Sequence, residues 1–187
     1  MNPDLKTLHY LFDTPLGMCA VAWNGRGLVG VQLPERDPGT TERRIVARVR
    51  SAGAAAPPDW VQGLIEDIRR YLRGDKVDFS TVAVDLDGVD DLRLRIYAAL
   101  RQLRFGETTT YGNLARALGV NEWQGARDVG EAMGRNPVPI VIPCHRVLAA
   151  GGKIGGFSAP GGAATKRKLL MLEGVCLDSE PPRLPGL

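Results

Sequence analysis

The residues with the clearest chemical potential lie together in the segment "PIVIPCHRV", residues 139–147. Cys144 follows a proline and precedes His145, one of only two histidines in the chain. A cysteine nucleophile needs a base or a positive charge beside it, because a free thiol is little ionised at neutral pH. The segment therefore favours nucleophilic chemistry at Cys144, whereas Cys19 and Cys176 are interpreted as small buried thiols.

The geometry of Cys144 and His145 leaves two arrangements open. The apolar run "IVI" before Pro143 predicts a buried strand, and neighbouring side chains of a strand point to opposite faces. Either a turn at Pro143 redirects one side chain, or a water molecule connects the thiol to the imidazole. The second ring nitrogen of His145 then needs an acceptor, for which Glu173 is the candidate. The alternative interpretation of Glu173 is a surface carboxylate at the end of a helix.

Composition limits the possible classes of protein. The chain has 187 residues, 44% hydrophobic and 24% charged, which is typical of a soluble protein with one or two domains. No apolar run approaches the roughly 18 residues of a membrane span, and the N-terminal residues lack the apolar core of an export signal. The cysteines and histidines do not have the spacing of a disulfide framework or a metal site. We therefore expect free thiols, no metal and no membrane association.

The net charge of +3 is small but unevenly distributed. From Gly88 onward there are 13 Lys and Arg against 9 Asp and Glu, so the basic excess lies in the half that holds Cys144. This distribution favours an anionic partner for that half, and an ordinary solvated surface is the alternative interpretation.

The first half of the chain has the pattern of a small sheet with helices. "HYLFDTPLGMCAVAWNGRGLVGVQLP" alternates apolar residues around the turn signal Asn24-Gly25 and predicts two or three antiparallel strands. "TTERRIVARVR" and "DWVQGLIEDIRRYLRG" have helical spacing, and "SAGAAAPP" between them is interpreted as a linker. "VDFSTVAVDLDG" alternates again and is predicted to return to the sheet. The apolar stripe of the second helix is formed by Trp60, Leu64, Ile68 and Leu72.

The second half is predicted to be helical. "DDLRLRIYAALRQLRFGE" begins at an Asp cap, and "TTTYGNLARALG" and "WQGARDVGEAMGRN" are two short helices with a brief connection. Such a pair is typical of a helix-turn-helix, although helix pairs are common and the signal is weak alone. A glycine-rich loop, "AAGGKIGGFSAPGG", precedes a final helix, "ATKRKLLMLEG", and "RLPGL" is interpreted as a frayed tail.

Several of these stretches, taken in order, carry a family resemblance. "NPVPIVIPCHRV" carries it over its whole length, with "GETTTYGNLARALG" and "ARDVGEAMGRN" before it and "GGKIGGFSAPGG" and "KLLMLEG" after it. "TPLGMCAVAWNGRGLVGVQLP" adds a likeness in the first half. Together they resemble the O6-alkylguanine-DNA alkyltransferases, also called methylated-DNA–protein-cysteine methyltransferases, over nearly the whole chain.

The resemblance implies an α+β fold with two domains. Residues 1–88 are expected to form a ribonuclease H-like domain with an antiparallel sheet. Residues 89–187 are expected to form a helical DNA-binding domain with the helix-turn-helix and the active-site cysteine.

The resemblance also implies an activity. The family repairs O6-alkylguanine, and to a varying degree O4-alkylthymine, by flipping the nucleotide and moving its alkyl group irreversibly onto its own cysteine. Each molecule acts once and needs no cofactor. The implied partner is double-stranded DNA containing O6-alkylguanine, and the implied state is a monomer in the cytoplasm, or in the nucleus of a eukaryote.

Catalytic roles follow from the resemblance for five residues. Cys144 is the alkyl acceptor, His145 is its base through a water molecule, and Glu173 orients His145. Asn136 is the hinge whose hydrogen bonds join the helix-turn-helix to the cysteine segment. Tyr111 contacts the target nucleotide and assists proton transfer to the leaving guanine.

Other residues are assigned by the resemblance to DNA and to the base pocket. Arg127 is the finger that fills the space left by the flipped nucleotide. The other DNA-binding residues are Thr110, Tyr111 and Ala126. The pocket for the damaged base is lined by Met133, the backbone at Val147, Phe157 and Ser158.

Three features depart from the family pattern and concern DNA affinity more than chemistry. Asp128 and Glu131 place acids near Arg127, and an Arg127–Glu131 contact at i, i+4 would tether the finger by about 0.2–0.5 kcal/mol. "VNEWQG" lengthens the turn and adds Trp123. Phe157 stands where many members have tyrosine.

Two other functions stay open from the sequence. An alkyltransferase-like recognition protein binds lesions without repairing them, but it carries another residue, typically tryptophan, in place of Cys144. A thiol hydrolase would turn over repeatedly and would need an oxyanion hole, which the sequence does not identify.

Overall fold

The computed structural model describes residues 6–120 and 122–176, except the side chains of residues 122 and 123. The first half forms a sheet with helices, and the second half is mainly helical, so the α+β prediction is confirmed. One continuous apolar core runs through both halves. The tail "RLPGL" lies outside the described residues.

The N-terminal sheet has the strand order β3-β2-β1-β4. Strands β1 (Leu8–Thr14), β2 (Gly17–Asn24) and β3 (Gly27–Gln32) are antiparallel, and the short β4 (Gly53–Ala54) pairs with β1 in parallel. The side chain of Asn24 accepts hydrogen bonds from the backbone N–H groups of Arg26 and Gly27, which closes the β2–β3 turn. The predicted hairpin at Asn24-Gly25 is therefore confirmed, whereas the segment interpreted as a linker contributes the strand β4.

Helices α1 (Pro38–Val49) and α2 (Asp59–Leu72) accompany this sheet. Ile45 of α1 packs against small residues of β2, and the apolar side of α2 belongs to the main core. The prediction of the α2 stripe was wrong at Trp60, which is 43% exposed in the first turn. The helix turns a face shifted by one residue toward the core, so that Val61, Ile65 and Tyr71 are buried beside the predicted leucines and isoleucine.

Residues 77–88 return along the sheet without forming the predicted strand. Their only pairing with it among the described residues is a single parallel bridge between Leu28 and Val84. The Arg101 side chain donates hydrogen bonds to the carbonyls of Phe79, Ser80 and Val82. These bonds tie the segment to the end of helix α3 (Asp91–Arg101).

The helices of the second half begin where the sequence predicts. Helix α3 (Asp91–Arg101) is capped by Asp90, and the short strand β5 (Thr109–Thr110) leads directly into α4 (Tyr111–Ala117). Helix α5 (Glu122–Gly134) packs against α4, and α6 (Gly162–Leu172) is the last helix among the described residues. The predicted helix-turn-helix pair is therefore present. Within the described residues, no helix has both the length and the apolar character needed to cross a membrane.

The segment "IVI" is core, as predicted, but the prediction of a strand was wrong. Ile140 has a φ of 76°, and one isolated bridge joins Pro139 to Ile142. Cys144–Arg146 then form a 3₁₀ turn, which leads into the short strand β6 (Val147–Leu148) paired with β5. The chain therefore bends before the cysteine, but no direct hydrogen bond joins the thiol of Cys144 to the imidazole of His145 among the described residues, because Nδ1 of His145 has no partner and Nε2 contacts Glu173.

Candidate active site

Asn136 holds the bend that places Cys144. Its side-chain Nδ2 donates to the carbonyl of Ile142 at 2.8 Å, and its Oδ1 accepts from the N–H of Val138 at 3.0 Å. Together with the backbone bond from the N–H of Ile142 to the carbonyl of Val138, they close the turn in which Ile140 occupies the left-handed region. Asn136 lies two residues after the end of α5, so it links the helix-turn-helix to the cysteine turn.

Cys144 is nearly inaccessible, with 4% of its surface exposed. Burial raises the pKa of its thiol, and a hydrogen bond from Asn136 and the positive charge of Lys166 oppose that increase. The thiol is therefore neutral at rest. It needs a base at the moment of reaction, because the thiolate is the nucleophile.

His145 is fully buried and lies 2.7 Å, through Nε2, from Oε1 of Glu173. Burial lowers the pKa of His145, and the charges of Arg146 and Lys166 act in the same direction against the attraction of Glu173. A neutral imidazole beside a carboxylate carries its proton on Nε2, which leaves the lone pair on Nδ1. Nδ1 is buried without a hydrogen-bond partner among the described residues, so it is available to accept a proton.

Glu173 is an ionised carboxylate at the end of α6. Burial alone would raise its pKa, but hydrogen bonds from His145, Arg146 and Tyr71 outweigh burial and lower the pKa to about 2. The backbone N–H of Gly106 donates to Oε2 as well, at 3.0 Å. The alternative interpretation of Glu173 as a surface residue is excluded, because its side chain has no exposed surface.

Lys166 is a buried cation of α6 that the sequence analysis missed. Its Nζ donates to the carbonyls of Val147 at 2.5 Å and Gly156 at 3.2 Å, and it lies 5.8 Å from the centre of the Tyr111 ring. Burial lowers its pKa to about 8, while Cys144 acts in the opposite direction. Lys166 therefore places positive charge near the reacting sulfur and joins the glycine-rich loop to strand β6.

A cavity of about 390 Å³ opens beside Cys144. Tyr111 lies at its wall with its hydroxyl 3.5 Å from the carbonyl of Gly156, and burial raises the pKa of that hydroxyl, which stays protonated. Val147 is fully buried and does not line this cavity. The lining residues are Tyr111, Gly130, Met133, Gly134, Cys144, Gly156, Phe157 and Ser158.

The residues assigned to DNA lie on the helix pair. Thr110 caps α4 by accepting a hydrogen bond from the N–H of Asn113. Ala126 is half-buried on α5, and Arg127 beside it is exposed. The prediction of a contact between Arg127 and Glu131 was wrong, because Glu131 instead forms an ion pair with Arg135 at 3.0 Å. Glu131 therefore does not tether the arginine.

The other two cysteines, both predicted to be buried, differ in their exposure. Cys19 is buried, and burial raises its pKa to about 11. Cys176 is exposed, so its prediction as a buried thiol was wrong. In the described ranges, 6–120 and 122–176, no group of three or more His, Cys, Asp or Glu side chains is arranged to hold a metal ion.

Three residues that the sequence analysis did not assign complete the site. Arg146, next to His145 in the same motif, could have been suspected from its position. Lys166 and Tyr71 carry no such signal. The helical pattern around Lys166 is that of an ordinary surface lysine, and the pattern around Tyr71 is that of an ordinary core tyrosine. The fold alone brings them to the cysteine turn.

A sheet domain followed by a helix-turn-helix domain, with a buried cysteine beside a histidine–carboxylate pair, defines the class of DNA-repair alkyltransferases. The family model for the 6-O-methylguanine DNA methyltransferase ribonuclease-like domain matches residues 8–86, and that for the DNA binding domain matches residues 91–175. The chain therefore belongs to the 6-O-methylguanine DNA methyltransferase family.

Individual relatives agree with this assignment. The methylated-DNA–protein-cysteine methyltransferase of Mycobacterium tuberculosis strain H37Rv is 34% identical over 169 residues, covering 89% of this chain and 92% of the relative. That of Methanothermobacter thermautotrophicus is 32% identical, covering 82% of this chain and 84% of the relative. The crystal structure of Mycobacterium tuberculosis OGT in complex with DNA has a TM-score of 0.72 at 32% identity, covering 89% and 92% of the two chains.

Proposed function

We propose that this protein repairs DNA by moving the alkyl group of O6-alkylguanine, and also of O4-alkylthymine, irreversibly to Sγ of its own Cys144. The observation that carries the proposal is the position of Cys144 between a substrate-sized cavity and the pair formed by His145 and Glu173. The cavity volume of about 390 Å³ is within the range of pockets that hold small molecules. The partner is double-stranded DNA that contains the lesion, and residues 1–88 and 89–187 are the two domains.

The lesion has to leave the base stack before the sulfur can reach it. The reacting carbon is buried in the duplex, and extruding a nucleotide costs a few kcal/mol. Helix α5 carries Arg127 at an exposed position, from which its guanidinium can replace the lost stacking. The start of α4, with Thr110 and Tyr111, and Ala126 on α5 are the further contacts to the nucleic acid.

The transfer is a displacement at the alkyl carbon. The thiol proton of Cys144 passes through a bridging water molecule to Nδ1 of His145, and Glu173 holds the imidazolium that forms. The thiolate then attacks the carbon, the S–C bond forms as the C–O6 bond breaks, and the electron pair goes to guanine. Tyr111, still protonated at its hydroxyl, donates the proton that makes guanine a good leaving group.

The product explains single turnover. A thioether has no labile bond for water to cleave, so Cys144 is consumed and no cofactor is needed to complete the reaction. We place the activity, in a monomer, in the cytoplasm of a bacterial-type cell or in the nucleus of a eukaryotic one.

The test is the stoichiometry of repair. A duplex oligonucleotide with one O6-methylguanine, in excess over protein, should lose one methyl group per protein molecule and then no more. Cys144→Ser should bind the duplex and remove none. Continued turnover would instead indicate a thiol hydrolase, and binding without any transfer by the unaltered protein would indicate a recognition protein.

A further inference from the structure

A tyrosine from the first half of the chain contacts both members of the His145–Glu173 pair. Tyr71, in the last turn of α2, is fully buried, with its hydroxyl 2.7 Å from Oε1 of Glu173 and 3.0 Å from Nε2 of His145. Because Nε2 and Oε1 are themselves 2.7 Å apart, the three polar atoms form a closed triangle. Two atoms of this triangle therefore belong to the second half of the chain, and the third, the hydroxyl of Tyr71, belongs to the first half.

The protons available in this triangle fix its hydrogen bonds. Burial and the charge of Glu173 raise the pKa of Tyr71 well above its ordinary value, so its hydroxyl keeps its proton. A protonated hydroxyl beside an ionised carboxylate donates to it, so Tyr71 donates to Oε1. The Nε2–H of His145 also donates to Oε1, and the Tyr71 oxygen can share that proton. Both donors hold the carboxylate from different directions.

We propose that Tyr71 is a positioning residue for alkyl transfer, through which the N-terminal domain fixes the orientation and the basicity of His145. The proposal rests on the function proposed for Cys144. Tyr71 contacts Nε2 of the imidazole, whereas Nδ1 is the atom that accepts the proton of the Cys144 thiol in the proposed reaction. It therefore acts on the reaction through His145 and Glu173 and does not touch the substrate.

A packing role alone would not need the hydroxyl. The Tyr71 ring makes edge contacts with Phe79 at 5.7 Å and Phe105 at 6.1 Å between centroids, and a phenylalanine would keep both. Only the hydroxyl reaches Glu173. Tyr71→Phe therefore separates the two roles, because it removes the donor and leaves the ring.

The sign of the effect on His145 follows from the charges around it. The titratable and charged groups that face the imidazole are Cys144, Arg146, Lys166, Glu173 and, behind it, Tyr71 itself. The hydroxyl of Tyr71 draws negative charge from Oε1, so its removal lets Glu173 attract an imidazolium more strongly. The pKa of His145 should then rise. Because His145 must be neutral to accept the thiol proton, the acid limb of the rate profile should move to higher pH.

The experiment measures the rate of methyl transfer from an O6-methylguanine duplex as a function of pH for the unaltered protein, Tyr71→Phe and Tyr97→Phe. Tyr97 is the matched control, since it is equally buried and its hydroxyl donates to the carbonyl of Ala132, away from His145. We expect Tyr71→Phe to lower the maximal rate roughly threefold to tenfold, the range set by losing one hydrogen bond. Its acid limb should move to higher pH, and that of Tyr97→Phe should stay in place.

The outcomes separate this proposal from the proposed function. If the unaltered protein transfers no methyl group, the proposed function fails. If it does and Tyr71→Phe has the same acid limb, Tyr71 is structural only and this inference is overturned. Should Tyr71→Phe not fold, replacement of Tyr71 by 3-fluorotyrosine keeps the shape and strengthens the donor. The acid limb should then move to lower pH, and an unchanged limb would overturn the inference.

Discussion

The Nε of Arg146 donates to Oε2 of Glu173 at 2.9 Å, and the carboxylate it contacts has no exposed surface. Nη2 of the same guanidinium donates to Oε1 at 3.0 Å, so the pair is bidentate. This contact ties the cysteine turn to the end of α6. Removing one charge from such a buried pair leaves the other without compensation in a medium of low dielectric constant.

Glu173→Gln should therefore lower the free energy of unfolding at neutral pH by about 3–5 kcal/mol, measured by urea denaturation. The control is Glu66→Gln, which weakens the surface ion pairs of Glu66 with Arg73 and Arg69 and should cost no more than about 1 kcal/mol. Equal losses in the two variants would contradict the importance of the buried pair.

The pH dependence of stability gives a second test of Glu173. Its pKa is about 2 in the folded protein against an ordinary 4.5, so the carboxylate contributes stability above that ordinary value. The contribution, on the order of 3 kcal/mol, is lost as the pH falls from about 4.5 toward 2. Stability of the unaltered protein should decline across this window, and the decline should be smaller in Glu173→Gln. Parallel curves for the two proteins would show that Glu173 has no depressed pKa.

Lys166 should set the alkaline limit of the reaction. Its positive charge favours the Cys144 thiolate, and its pKa of about 8 means that the charge is lost as the pH rises through that value. We expect the transfer rate to fall above pH 8 and Lys166→Met to be slow at every pH. Lys168→Met, at an exposed position of the same helix, is the control. A rate that keeps rising above that pH in the unaltered protein would contradict this role.

The three cysteines should differ in their reaction with iodoacetamide. Cys144 is buried with a raised pKa, Cys19 is buried with a pKa of about 11, and Cys176 is exposed. Because only the thiolate reacts and only an accessible one is reached, Cys176 should be modified first at neutral pH. Peptide mapping after short exposures measures the order. Cys144 reacting before Cys176 would show that its thiol is ionised at rest, against the neutral state inferred from its burial.

Arg127→Ala should slow alkyl transfer from DNA without changing the chemical step at Cys144. Transfer from a duplex with O6-methylguanine should fall by at least about fivefold if the arginine replaces lost stacking, which is worth roughly 1–3 kcal/mol. Transfer from free O6-benzylguanine should stay unchanged. Arg135→Ala, which removes an exposed arginine just after the same helix, is the control. Equal losses with both substrates would refute the finger role.

The sequence predicted those parts of the fold that local signals control. Asp90 and Thr110 cap α3 and α4 as expected, and Asn24 closes the hairpin, because each acts on backbone groups within three residues. Local patterns failed at Ile140, since β-branched residues rarely adopt a positive φ, and the turn around it is closed by the two side-chain bonds of Asn136 and by the backbone bond from Ile142 to Val138. Local patterns also failed at Trp60, because the apolar residues of a helix do not show which side of their stripe is most deeply buried.

The chemistry of the site was predictable where the residues are adjacent. Cys144 and His145 were proposed from their types and position. Glu173, 28 residues away, was proposed only because a base needs an acceptor, and the structure places it 2.7 Å from His145. Tyr71 lies 74 residues before His145 in the chain, and its role depends on how α2 packs against α6. Nothing in the local sequence around a core tyrosine encodes such a contact.

The central claim is that the alkyl group ends on Sγ of Cys144. The most direct measurement is peptide mass mapping after incubation with a duplex oligonucleotide that contains O6-methylguanine. We predict one added methyl group on the peptide that contains Cys144, at a yield that matches the loss of O6-methylguanine, and none on Cys19 or Cys176. Repaired DNA with unmodified Cys144, or a methyl group on either of the other cysteines, would contradict the account.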